Sequence, residues 1–71
     1  MGSKDKVINM LKKMFPNRIQ MFDCLDLVGD YKELLYADNN VTVLYAPYWE
    51  YVEVLGLSDE DYREVFEACG Y

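Results

Sequence analysis

Apolar residues in the first fifteen positions recur with a helical period. Val7, Ile8, Leu11, Met14 and Phe15 stand at i, i+1, i+4, i+7 and i+8, which is one stripe of a helix over Ser3–Phe15. Lys4, Lys6, Lys12 and Lys13 lie off that stripe, and the last two suit the negative end of the helix dipole. Pro16 disfavours a helical Phe15 and ends the element. Arg18–Asp23 then reads as a first strand. Residues 24–30 read as an irregular loop closed by a Gly29-Asp30 turn, with one helical turn as the open alternative. Tyr31–Ala37 and Val41–Ala46 form a hairpin around Asp38-Asn39-Asn40, residues that tolerate the positive φ of tight hairpin turns. Pro47 and Tyr48 break the run, and Trp49–Leu55 is the next strand.

The last element is the best specified. Ser58 is an N-cap with Asp61 three residues on, and Leu57 and Tyr62 are placed as a hydrophobic staple. Tyr62, Val65, Phe66 and Cys69 repeat at i, i+3, i+4 and i+7, Asp59, Glu60 and Asp61 favour the positive end of the dipole, and Gly70 is a natural terminator. The predicted fold is α+β: one domain over residues 1–71, in the order α-β-β-β-β-α. Two helices lie on one face of an antiparallel sheet of three to four strands. Residues 1–3 are expected to be a tag remnant or disordered. Strand alternation puts Leu34, Tyr36, Val41, Val43, Tyr45, Val52 and Val54 on the core face. The other face receives Glu33, Leu35, Thr42, Leu44, Trp49, Tyr51, Glu53 and Leu55, a mixture of carboxylates and large apolar groups typical of an interface.

Charge sharpens this picture, because it is split by position. Residues 1–20 hold five bases against one acid, +4; residues 21–71 hold twelve acids against two bases, Lys32 and Arg63, −10. The net charge is −6. All seven tyrosines and the one tryptophan fall in the acidic part. Aromatic anchors ringed by carboxylates point to a protein partner with a basic surface, and carboxylates can also stand in for phosphates as a DNA mimic. The expected partner-binding residues are Glu33, Tyr48, Trp49, Glu50, Tyr51, Glu53, Glu60, Glu64 and Glu67. Tyr48, Trp49 and Tyr51 are expected to be exposed and to serve as the anchors. A homodimer through the exposed sheet face or an edge strand is the alternative. A nucleic-acid binder using the lysines of the first helix is a weaker one, since the acidic sheet repels phosphate.

Other chemistry finds little support. There is no His, no G-x-S-x-G and no phosphate-binding glycine loop, so no enzyme, metal or cofactor is expected. Asp23, Asp26 and Asp30 match no calcium loop and read as turn chemistry. Cys24 and Cys69 read as reduced thiols, with a disulfide left open. No run of eighteen apolar residues or apolar leader is present, which leads to the expectation of a cytoplasmic protein without a membrane span.

The stretch from Gly29 to Val65 carries a D/N-rich hairpin turn, the strand Trp49-Glu50-Tyr51-Val52-Glu53 and the helix start Gly56-Leu57-Ser58-Asp59-Glu60. In these features it resembles small proteins carried by bacterial phages and mobile elements, over about half of the chain. In general character it is similar to anti-defence proteins such as anti-CRISPRs. That resemblance implies an inhibitor of a host nucleic-acid-processing complex and assigns no role to any individual residue.

Overall fold

A computed structural model describes residues 2–17, 20–22 and 31–69. The chain is a small α+β domain with the elements α1 (Ser3–Met14), β1 (Gln20–Phe22), β2 (Glu33–Ala37), β3 (Thr42–Ala46), β4 (Tyr51–Leu55) and α2 (Asp59–Ala68). The sheet order is β1-β4-β3-β2, which leaves β1 and β2 at the edges.

The predicted order of elements is correct, but the sheet is mixed rather than antiparallel. β2, β3 and β4 form an antiparallel meander, whereas β1 pairs with β4 in parallel, Met21 against Val52. Adjacent strands in sequence pair readily through short turns. β1 is instead separated from β2 by a longer connection, so it can join the far edge of the meander.

Both helices pack on one face of the sheet. Val7 and Leu11 of α1 and Val65 of α2 share one buried cluster with Met21, Val41, Val43, Val52 and Val54. Of the stripe read from the first helix, Val7, Leu11, Ile8 and Phe15 face the core, whereas Met14 is 47% exposed. α1 stops where Pro16 requires: Phe15 has left the helix (φ −126°, ψ 78°), while its N–H still donates to the Leu11 carbonyl. α2 starts as its cap predicts, with the Ser58 hydroxyl accepting from the Asp61 N–H at 3.2 Å. Leu57 and Tyr62 are each partly buried against the core. Gly70 lies outside the described residues, as do positions 23–30, where the turn aspartates and Cys24 fall.

Two local expectations change. The first is the face of Leu34. A bulge between Leu34 and Tyr36 shifts the β2–β3 register, so Leu34 opposes Leu44 rather than Tyr45. A bulge adds one residue to one strand and reverses the alternation beyond it. Leu34 therefore leaves the core face and stands 62% exposed, while Leu35 packs toward the core. Tyr36 opposes Val43 as expected.

The second is the β2–β3 turn. Among the described residues the only non-glycine with positive φ is Glu50, so Asn39 and Asn40 do not use the left-handed region. The turn is closed by a side chain instead. The Asp38 carboxylate accepts from the Asn40 N–H (2.7 Å) and the Val41 N–H (2.9 Å), an Asx arrangement that mimics a backbone turn. Its other oxygen accepts from the hydroxyls of Ser3 and Tyr36, both at 2.7 Å. Asp38 thus ties the start of α1 to the hairpin and places a negative charge at the positive end of α1, whose N-cap Gly2 has no capping side chain. Ser3 is the first residue of α1.

These donors, Ser3 foremost, then Tyr36 and the Asn40 amide, hold the Asp38 carboxyl well below the usual carboxylate range. A depressed folded value gives stability that is present above the unfolded value of about 4 and is lost as pH falls through the folded one. The expected result is that Asp38→Asn flattens the loss of stability with falling pH below about 4, measured by urea midpoints at stepped pH. Identical acid slopes for the two proteins would show that Asp38 does not carry this linkage.

Candidate interaction surface

Three surfaces hold the residues expected to meet a partner, and the structure treats them differently. The first is the sheet face away from the helices. The register places Phe22, Leu44, Tyr51 and Glu53 there together. Phe22 and Tyr51 meet edge to face at 4.9 Å. Tyr51 is only 4% exposed and Glu53 0% exposed, so neither is presented to a partner. This corrects the expectation for both. Alternation places Glu53 on the correct face, but that face is not open at its centre. The Lys32 ammonium reaches in and donates to Glu53 Oε1 at 2.5 Å, while Oε2 is buried with no hydrogen-bond partner among the described residues.

The second surface joins the two helices. Lys4 of α1 hydrogen-bonds Glu64 of α2 and lies 3.8 Å from Asp61. The Glu64 hydrogen bond, outweighing desolvation, pushes the Lys4 ammonium above the ordinary lysine value. The charge split between the two ends of the chain is therefore partly satisfied within the molecule. Glu64 is taken up in this contact, and the lysine face of α1 is partly neutralised, which weakens the nucleic-acid reading. Glu60 and Glu67 remain exposed on α2 and Glu33 on edge strand β2. Two of these carboxylates share α2 and the third stands on β2.

The third surface is built by two chain breaks. Pro47-Tyr48-Trp49-Glu50 turns β3 into β4, and Phe15-Pro16-Asn17 follows α1. Between them lies an open cleft of ≈ 460 Å³, lined by Met14, Phe15, Pro16, Tyr45, Trp49 and Glu50 with Asn17 and Gln20. Two of the lining residues, Phe15 and Tyr45, have ring centroids 5.1 Å apart. Tyr48 packs edge-on against Trp49 at 5.0 Å. Tyr48 is 76% exposed and Trp49 48%. Glu50 holds φ +54°, a left-handed backbone that costs a non-glycine residue about 1–2 kcal/mol. Strain of this kind concentrates at binding sites. Tyr48, Trp49 and Glu50 were expected from the sequence. Met14, Phe15, Pro16 and Tyr45 were not, because sequence pattern assigns the first three to the helix core and helix stop and Tyr45 to the sheet core. The missed signal is Pro16, which carries the chain away from α1 and leaves an apolar end beside the turn.

No family model, characterised protein or solved structure matches this chain. Function must therefore be argued from its own surfaces. Among the described residues no cluster of three or more His, Cys, Asp or Glu could hold a metal. No described helix is long and apolar enough to cross a membrane. Cys69 carries a free, half-buried thiol whose pKa burial pushes up, which makes it a poor nucleophile at neutral pH.

Proposed function

We propose that this chain is a non-enzymatic protein-binding domain of the phage or mobile-element inhibitor type. In this reading it docks on a basic surface of a cytoplasmic nucleic-acid-processing protein through the cleft beside Trp49. The observation that carries the reading is the cleft itself. It is a groove of mixed aromatic and polar lining that includes the half-exposed Trp49 and the Glu50 carboxylate, with the exposed Tyr48 ring packed edge-on against Trp49 on a tight turn. Aromatic anchors in such a setting supply large contact area for few rotatable bonds. The net charge of −6 supplies attraction toward a basic partner.

Charge in this reading acts at points, chiefly Glu50, with Glu33, Glu60 and Glu67 adding to the field. A DNA-like array is not needed. The alternative of a homodimer through edge strand β2 meets an obstacle, since the bulge at Leu35 interrupts the regular ladder a second strand would extend. A concentration-dependent sedimentation coefficient in the micromolar range would favour it nonetheless.

The test is affinity capture from a bacterial lysate with mass spectrometry, comparing the wild type with Trp49→Ala. The expected result is a nucleic-acid-processing protein retained by the wild type, bound more weakly at raised salt, and bound at least about 30-fold more weakly by Trp49→Ala, the loss typical of a hot spot. Retention that ignores Trp49 would remove the cleft from the function. Trp49 is half exposed and outside the buried cluster, so its truncation leaves the fold in place.

A further inference from the structure

We infer that the cleft receives an arginine side chain from an extended segment of the partner. This rests on the protein-binding reading above and names the chemistry that fills it. Glu50 is the only charged group among the described residues that line the cleft, and Trp49, its neighbour in the chain, lines it too. A guanidinium is flat, weakly hydrated and permanently charged. It can lie on an aromatic face and donate to a neighbouring carboxylate in one pose. Lysine offers a compact, strongly hydrated ammonium that can pair with the carboxylate but has no flat face to lay on an aromatic ring. A neutral or acidic side chain would cover Glu50 without pairing it, which carries the cost of a desolvated, unsatisfied charge.

The backbone at Glu50 points the same way. At φ +54° glycine would be unstrained, yet the position carries a long acidic side chain on the rim of the cleft. A volume of ≈ 460 Å³ lies within the roughly 300–1,000 Å³ of ordinary ligand pockets, enough for one long side chain and its flanking backbone. An extended flanking segment suits an aromatic-lined groove better than a helix, which needs a longer trough.

Trp49 is the only tryptophan, so its emission reports on the cleft without a label. The probe is a blocked pentapeptide, Gly-Pro-Arg-Pro-Gly, titrated beside the same peptide with citrulline in place of arginine. Citrulline keeps the shape and removes the charge. The expected result is a saturable change in emission with the arginine peptide and at least about tenfold weaker binding of the citrulline peptide. Glu50→Gln, which retains the same backbone demand, is expected to weaken the arginine peptide about tenfold and to leave the citrulline peptide unchanged. Equal binding of the two peptides overturns the arginine assignment. So does a Glu50→Gln protein that binds the arginine peptide as the parent does, or the lack of any saturable change up to millimolar peptide. None of these outcomes touches the broader reading, which stands or falls on whether Trp49→Ala loses the captured partner. The citrulline comparison uses the parent protein and so does not depend on any variant folding.

Discussion

Lys32→Met is expected to lower the unfolding free energy by about 3–5 kcal/mol, the usual result of leaving one member of a buried ion pair without the other. Glu53 is fully buried and the Lys32 side chain is mostly so, which separates this contact from the surface pairs that contribute about 0–1 kcal/mol. The stranded group would be a carboxylate whose Oε2 already has no hydrogen-bond partner among the described residues. A chain of 71 residues has a total stability of only roughly 3–5 kcal/mol from its core, so the single variant should be largely unfolded at room temperature. Removing both charges is a different experiment. Lys32→Met with Glu53→Leu deletes the desolvation cost along with the attraction, and should recover most of the loss. Urea unfolding of the parent, both single variants and the double variant forms the cycle that isolates the pair. If Lys32→Met unfolds within about 1 kcal/mol of the parent, the pair behaves as a surface contact and the closed centre of that sheet face needs another explanation.

Glu53 also shows where sequence reading stopped. Alternation along Tyr51-Val52-Glu53-Val54 assigns faces correctly: Val52 and Val54 enter the core and Glu53 does not. A period of two says which side a residue takes, but it does not say whether that side is open. The clue available was Lys32, one of only two bases in the acidic part of the chain and the one next to the strands. A lone base there is a natural partner for a carboxylate on the adjoining sheet face. The helices were legible because their signals are local: a stripe at helical spacing, a proline stop after α1, a serine cap before α2. The hairpins were legible for the same reason. The parallel pairing of β1 with β4 was not, since strand order is decided by packing between segments distant in sequence. Nor was the bulge at Leu35, because a single extra residue leaves no mark on a run as uniformly apolar as Leu34-Leu35-Tyr36-Ala37. The charge split was visible at once, but the Lys4 contact with Glu64 became visible only when the two helices were seen side by side.

Gly56→Ala is the second substitution with a large expected effect, about 3 kcal/mol of lost stability. Gly56 ends β4 at φ +99°, a region L-residues rarely enter. A Cβ there would also lie 2.3 Å from the Asn40 carbonyl oxygen, 3.3 Å from its carbon and 3.4 Å from the Val41 Cα. These neighbours are backbone atoms, so no side-chain rotation relieves the contact. They are also held from behind, since the Asp38 carboxylate fixes the amides of Asn40 and Val41 and is itself anchored to Ser3. Backbone strain alone is commonly about 1–3 kcal/mol, and the clash adds to it. The two contributions can be separated in a chain short enough for chemical synthesis. D-Alanine at position 56 accepts positive φ and carries its methyl on the opposite side of the backbone, away from Asn40. It should therefore recover most of the stability lost by the L-residue, by thermal or urea unfolding. A loss below about 1 kcal/mol for Gly56→Ala would mean that the end of β4 can move away from the β2–β3 turn. The Asp38 contacts to Ser3, Asn40 and Val41 would then not hold that turn rigidly against Gly56.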